Sequence, residues 1–398
     1  MHKLASPFIH DFTLEFPCVY NLSNDRHILV DSWFRLIRKR NVRHLNLAFP
    51  NSCNPNVYKS FACIFETTSL VSIKLRPGFA FNNGDPINLP HLKKLDIYLR
   101  CSQCKWLNKL ILACPLLEEL SLIGSFITGN ETFVVNCSSP NLRRLLIELA
   151  SDKLSQVFID APKLEYLSAR APKSSSIFFG DKPVSLQQAD IQLWNERNNE
   201  TGLSSTLYQG ISDVRILTDH SRHFNVVNTL TAFPNLTRLK LIMKWYDNCK
   251  SLSKFLSLCP QLDVLILNFG GFKNMVTNYE RWINPTETPL GRVKRIEIVT
   301  RNVRDYEHYK YFSELVRYVL RSTASLEQLH ISINSGRKQG KGIANNDGKS
   351  REYMLCNLIY KCRMASKKCE VVFTGKYLVM SRKAGARHAT ICDDSHRL

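Results

Sequence analysis

A chain of 398 residues, 44% of them hydrophobic and 22% charged, holds enough apolar side chains for a large core, which excludes an intrinsically disordered protein. Sixteen glycines and sixteen prolines are too few for a collagenous or low-complexity chain, and a formal charge of +20 asks for an acidic partner or a basic tail. Thirteen cysteines, an odd number, cannot close a complete disulfide framework; the first sixteen residues carry no signal-like apolar run, and nowhere do about 18 apolar residues follow one another. The expectation is a soluble chain of a reducing compartment, cytoplasm and/or nucleus, neither secreted nor in a membrane. The sequons starting at Asn21, Asn130, Asn136, Asn199 and Asn235 then carry no weight.

In chain order, residues 1–40 read as a strand, F-T-L-E-F from Phe12, followed by a capping helix over 26–40 with Ile28, Leu29, Trp33, Leu36 and Ile37 at helical spacing. From Val42 a frame of apolar-x-x-apolar-x-apolar recurs, starting again at Leu70, Leu92, Leu117, Leu142, Leu164, Leu186, Ile211, Leu236, Leu262, Val293 and Leu326. These twelve starts lie 22 to 33 residues apart, mostly within the interval of about 20 to 29 residues of leucine-rich repeats. Each frame predicts a short strand whose first, fourth and sixth residues face a core and whose third, fifth and seventh face away from it. One strand cannot bury such a face alone, so the frames must stack.

Between frames, Trp106, Leu107, Leu110 and Ile111, and again Leu252, Phe255 and Leu256, recur at helical spacing before Cys114-Pro115 and Cys259-Pro260, where proline stops each helix. The returns at 128–136 and 173–182 lack a helical stripe and read as irregular or strand-like. The fold class is therefore α/β: a leucine-rich-repeat solenoid over 41–288, with parallel strands on a concave face and helices and irregular segments on a convex one. In residues 289–374, Tyr309, Phe312, Leu315, Val316, Val319 and Leu320 predict a long helix between two frames; a polar stretch over 335–350 precedes a helix through Met354, Leu358 and Ile359 and a strand at 370–373. Residues 375–398 read as a basic, disordered tail, and residues 335–398 as a whole carry 14 Lys/Arg against 5 Asp/Glu.

On the concave positions the cations are Lys74, Arg76, Lys94, Arg144, Arg170, Arg215, Arg238, Lys240 and Arg295, and the anions Asp96, Glu119, Glu148, Asp190, Asp213 and Glu297. Such a mixed face fits protein recognition better than a nucleic-acid groove of one sign with stacked aromatics. Because aromatics and arginine dominate interface hot spots, the candidate protein-binding residues are Arg76, Tyr98, Arg144, Tyr166, Arg170, Arg215, Arg238 and Lys240. Gly342 and Gly348 enclose five residues before Lys349-Ser350, where a phosphate-binding loop needs four. Cys101-x-x-Cys104 has no partner pair for zinc, and Cys114 and Cys259, at equivalent places before proline, read as small buried apolar residues. No spaced signature names a catalytic residue, a metal ligand or a cofactor site.

The stretch W-F-R-L-I-R-K-R-N-V-R-H-L-N-L from Trp33, C-P-L-L-E-E-L-S-L from Cys114, V-K-R-I-E-I from Val293 and S-L-E-Q-L-H-I-S-I from Ser325 resemble plant F-box/LRR/FBD-type proteins. The resemblance runs from about residue 12 to residue 373 and implies a repeat solenoid closed by an FBD-like α+β cap over 289–374. It further implies a non-catalytic module without cofactors, the substrate-recognition part of an SCF-type ubiquitin ligase, holding a protein substrate on its concave face. In that family a preceding F-box, opening with Leu-Pro and closing with Ser-Arg-Trp-like residues, binds the Skp-type adaptor and through it the cullin. Nothing before Trp33 matches it, so adaptor and cullin are expected as partners only if a longer form supplies the F-box. The alternative is a basic scaffold binding nucleic acid or polyphosphate through Arg238, Lys240 and the tail.

Overall fold

The computed structural model describes residues 9–15, 24–48, 63–76, 84, 86–99, 104–124, 133–149, 155–172, 175–194, 205–220, 232–243, 254–269, 290–300, 306–333, 346–385 and 390–393. The chain forms two compact units, Met1–Ile211 and Ser212–Leu398. In the first unit eight parallel strands lie side by side in the order β1 (Asp11–Glu15), β2 (His44–Ala48), β3 (Ser72–Leu75), β4 (Lys94–Leu99), β5 (Glu119–Gly124), β7 (Arg144–Leu149), β9 (Tyr166–Pro172) and β11 (Gln188–Trp194). The other three, β6 (Phe133–Ser138), β8 (Ser155–Asp160) and β10 (Ser176–Phe179), form a small parallel sheet of their own with β8 in the middle. The second unit runs parallel through β12 (Ile216–Asp219), β13 (Arg238–Met243), β14 (Val264–Phe269), β15 (Arg295–Thr300), β16 (Gln328–Ile333) and β17 (Glu370–Thr374). Two antiparallel strands, β18 (Leu378–Lys383) and β19 (Thr390–Asp393), follow.

The strand pairing keeps one register. One level of the stack is filled in turn by Leu45, Ile73, Leu95, Leu120, Leu145, Leu167 and Ala189, and the next by Leu47, Leu75, Ile97, Leu122, Ile147, Ala169 and Ile191, all buried. A slip of one residue would turn the whole apolar set outward, so burial of one face fixes the register. The backbone repeats as faithfully. The carbonyl at the second frame position accepts two successive N–H groups of the next repeat: Arg43 from Val71 and Ser72, Lys93 from Glu118 and Glu119, Arg143 from Glu165 and Tyr166, and Asp263 from Lys294 and Arg295, all at 2.8 to 3.0 Å.

Strand entry is equally regular. The first frame residue donates its N–H to the carbonyl three residues back, Leu92 to Leu89, Leu117 to Cys114, Leu142 to Ser139, Leu164 to Ala161, Leu236 to Phe233 and Leu262 to Cys259. In each, the residue after the acceptor is proline, whose fixed φ suits the second position of a β-turn. Proline thus builds the corner that aims the next strand, beyond ending a helix. One frame differs from its expected place. Ile216 pairs with Arg238, which sets Val214, Leu217 and Asp219 as the inward triad of β12. Ile211 instead closes the helix α3 (Ser205–Gly210) by bonding its N–H to Leu207, so the apolar pair Ile211 and Val214 read three residues early.

On the return side, α1 (Asn24–Lys39) buries Phe34 and Ile37, with Trp33 and Leu36 less enclosed; Phe34 was outside the expected stripe, and the side chains of Ile28 and Leu29 lie outside the described residues. The helix α2 (Cys104–Leu112) buries Trp106, Leu107, Leu110 and Ile111 as its spacing requires, and Trp106 meets Phe65 edge-on at 5.2 Å. The returns read as irregular or strand-like hold β6 and β10. Their outer edges are met by side chains: Asn108 of α2 donates to Val134 O at 3.3 Å and accepts from Asn136 N at 2.9 Å, and Thr206 of α3 donates to Ile177 O at 3.1 Å. In the second unit Phe255 and Leu256 are buried in a helical turn over 254–257, while Leu252 lies outside the described residues. The long helix α4 (Tyr306–Ser322) buries Phe312, Leu315, Val316, Val319 and Leu320, and packs against α5 (Asn346–Lys361).

The expected disordered tail over 375–398 is instead partly built into the sheet. Leu378 and Met380 are buried on β18, which pairs with β17 along five residues. Two side chains fasten this hairpin to α5. The buried carboxylate of Glu352 accepts the N–H groups of Lys376 at 2.8 Å, Tyr377 at 2.8 Å and Leu378 at 3.0 Å, and leaves no room for a Cβ at Gly375. From β18, Arg382 donates to the terminal carbonyls of α5 at Ile359 and Cys362. Composition alone reads the segment as a tail because Glu352 lies more than twenty residues upstream and its pairing is invisible to a local window. Replacing it by alanine strands three amides beside apolar surface, where each charge-assisted bond is worth about 1.5 to 3 kcal/mol. Glu352→Ala is expected to speed amide exchange at residues 376–378 by at least about tenfold, a loss of roughly 1.4 kcal/mol in local opening free energy; unchanged exchange would show that the carboxylate does not hold the hairpin.

Candidate functional site

The side of the first unit's sheet that faces away from the leucines forms a grid. Its third-position row runs Lys94, Glu119, Arg144, Tyr166, Gln188; its fifth runs Asp96, Ser121, Leu146, Ser168, Asp190; its seventh runs Tyr98, Ile123, Glu148, Arg170, Gln192. Parallel, in-register strands place these residues shoulder to shoulder about 4.8 Å apart, so charges in a row meet their neighbours. Lys94 pairs with Glu119 at 2.7 Å, Lys74 with Asp96 at 3.9 Å and Arg170 with Glu148 at 3.7 Å, and the Arg144 guanidinium lies 4.7 Å from the centre of the Tyr166 ring. At the strand entrances Lys93 pairs with Glu118 at 2.8 Å and Arg143 with Glu165 at 3.2 Å.

Leu146 stands at the centre of the grid with 38% of its surface exposed, between the smaller Ser121 and Ser168. Ile123, half-buried on β5, extends this apolar spot toward Tyr98, its direct neighbour on β4. The structure thus brings together Tyr98, Arg144, Tyr166 and Arg170 of the expected binding residues, while Arg76 is exposed just after β3. Sequence reasoning missed Leu146 and Ile123 because it sought charged and aromatic residues. The signal was present: L-R-R-L-L-I carries leucine at the fifth position, where neighbouring frames carry Asp, Ser or Lys.

The remaining candidates belong to the second unit. Arg238 and Lys240 project from β13 on the side away from the buried Leu239 and Leu241. Arg215 does not share that face: with β12 beginning at Ile216, it occupies the strand entrance, and its carbonyl takes the N–H of Thr237 and Arg238. Asp213 likewise falls before the strand. Arg295 of β15 lies two strands from Arg238 in the same row, separated by Val264. Unlike the cations of the first grid, Arg238, Lys240 and Arg295 have no carboxylate or ring partner among the described residues.

No group of three or more His, Cys, Asp or Glu able to hold a metal ion occurs among the described residues. Cys101 and the loop at 342–345 lie outside them, and Gly348, Lys349 and Ser350 are part of α5. The cysteines at the repeat corners are structural. Cys114 donates its thiol to Leu110 O at 3.1 Å and Cys259 to Phe255 O at 3.4 Å, and burial pushes both thiols, with that of Cys137, up to about 12. A thiol at that value carries almost no thiolate near neutrality, so alkylation by iodoacetamide at a pH of about 8 is expected to spare all three in the folded chain and to modify them in urea.

The Lys93 ammonium bonded to Glu118, with Arg143 adding attraction, holds the Glu118 carboxyl below its ordinary value. A lowered carboxyl stabilises the folded chain above its ordinary value, and that contribution is lost as pH falls through the lowered one. Lys93→Ala should therefore move the Glu118 titration upward toward the ordinary carboxylate range, followed by carboxyl NMR; a titration that stays put would separate the shift from this pair.

The comparisons agree with the geometry. Residues 30–179 match the family model described as FBD-associated F-box protein At5g56370, LRR repeats. The chain is similar to the F-box/FBD/LRR-repeat protein At1g78750 of Arabidopsis thaliana, 24% identical over 79% of this chain and 71% of the relative. It is similar also to F-box/LRR-repeat protein 13 of the same plant, 27% identical over 85% of this chain and 77% of the relative, and to the putative FBD-associated F-box protein At5g53635, 26% identical over 80% and 78%. With repeats that match the family model over residues 30–179 and relatives of this kind along most of its length, the chain is similar to plant F-box/LRR/FBD-type proteins.

Proposed function

We propose that the chain is a non-catalytic protein-interaction module that positions a protein substrate for an SCF-type ubiquitin ligase, with the open faces of its sheets as the holding surface. In this reading the repeats form a solenoid whose concave side carries the grid, and the region over 289–374 is its FBD-like cap. Skp-type adaptor and cullin enter only through an F-box supplied by a longer form, and ubiquitin transfer belongs to those partners. The work of the chain is positioning: no bond is made or broken on it.

The observation that carries the reading is the apolar centre of the first grid, Leu146 with Ile123, Tyr98 and Tyr166, ringed by charges already neutralised within the sheet. Paired charges are cheap to cover, and an aromatic and aliphatic centre inside a polar rim is how binding energy is concentrated at protein interfaces. The names of the relatives, F-box proteins with leucine-rich repeats and FBD regions, support the ligase context. The free thiols of the described cysteines suit a reducing compartment, cytoplasm or nucleus.

A photo-crosslinking amino acid at position 146 is expected to capture a discrete protein from plant extract, whereas the same group at Leu112, exposed on the return side, captures none of it. The captured protein, purified, should bind the double variant Arg144→Ala/Tyr166→Ala at least about tenfold more weakly, a hot-spot loss of roughly 1.4 kcal/mol or more. Crosslinks confined to position 112, or undiminished binding to the double variant, would place the holding surface elsewhere.

A further inference from the structure

The open face of the second unit differs in kind from that of the first. Across β12 to β15 its third-position row alternates Ile216, Arg238, Val264, Arg295, and its fifth runs Thr218, Lys240, Ile266, Glu297. Arg238 and Arg295 are exposed, Val264 between them is half-buried, and Ile266 is only 6% exposed. In the first unit each face cation that pairs does so with an acid or ring on the adjacent strand. Here Val264 and Ile266 stand between the charged strands, the backbones of Lys240 and Glu297 are two strand spacings apart, about 9.6 Å, and the two side chains form no ion pair. The face therefore presents cations that the fold leaves without partners, over aliphatic side chains.

We propose that the β12–β15 face receives an extended acidic protein segment, whose carboxylates pair with Arg238 and Arg295 while an aliphatic side chain between them covers Val264 and Ile266. This deepens the substrate-holding reading and rests on it. Charge complementarity names the partner's sign, and two further features name its class. The described positions of this face carry no Phe, Tyr or Trp on which the bases of a nucleic acid could stack. The span also fits: Arg238 and Arg295 stand about 9.6 Å apart, and in a polyproline II segment residues i and i+3 share one side about 9.3 Å apart.

The test uses the full chain and a fluorescein-labelled peptide of four Glu-Pro-Val repeats, read by anisotropy, beside its Gln-Pro-Val counterpart and a single-stranded oligothymidylate of equal charge. The acidic peptide should bind, the Gln peptide should not, and Arg238→Gln/Arg295→Gln should weaken binding at least tenfold, whereas Lys109→Gln, exposed on α2 on the return side of the first unit, leaves it unchanged. Both arginines are exposed, so the double variant should retain the circular dichroism of the parent. Should it not, Arg238→Lys/Arg295→Lys, which keeps the charge, must bind far better than Arg238→Ala/Arg295→Ala for the proposal to stand. Equal binding of the Gln peptide, no loss in the double variant, or tighter binding of the oligothymidylate lost in that same variant would overturn the proposal, the last in favour of a nucleic acid. Absence of acidic-peptide binding while position 146 still captures its protein defeats this inference alone; loss of that capture as well defeats the substrate-holding reading beneath it.

Discussion

Everything in this chain depends on strands that cannot shift against one another. A backbone carbonyl at most entrances of the main-sheet strands takes two successive amides of the next repeat, and the leucines behind it accept only one phase of the side-chain alternation. Because both constraints recur from repeat to repeat, side chains at one frame position fall into straight rows across many strands. Charge pairing, ring contacts and apolar spots on the open face are all products of that alignment. The same residues on a sheet with loose register would scatter over both surfaces.

Much of this was legible because the repeat writes the same instruction many times. The frame starts located β2 to β5, β7, β9, β11 and β13 to β16, and the stripe of Trp106, Leu107, Leu110 and Ile111 located α2. Two failures have a common cause: local patterns that satisfy two readings. Ile211 and Val214 are both apolar and both buried, and only the helix ending at Gly210 decides which one opens the frame. Phe34 sits one residue from Trp33, and which of them points inward depends on what the helix packs against. The last strands were hidden differently, since their anchor is a carboxylate in a helix distant in sequence.

The candidate surface was legible in its boundaries and not in its centre. Sequence placed Tyr98, Arg144, Tyr166 and Arg170 on one side of the sheet, but could not tell that the charges among them consume each other through neighbouring strands. Pairing is a lateral property, read across rows rather than along the chain. Once Lys94, Glu119, Glu148 and Arg170 are seen as couples, the exposed leucine between two serines becomes the feature that distinguishes the place. The two units then offer different surfaces from one repeat: one with its charges internally settled, one with arginines left open.

The amide of Asn108 against β6 has a consequence beyond local order. A three-stranded sheet laid over the returns would ordinarily offer bare edges to any extended peptide and could grow by adding strands from other molecules. By occupying both a donor and an acceptor of β6, the asparagine mimics the missing neighbour, and Thr206 covers a carbonyl on β10 at the other end. Each outer edge of the minor sheet is thereby partly capped, which makes it a poorer template for strands from other copies of the chain.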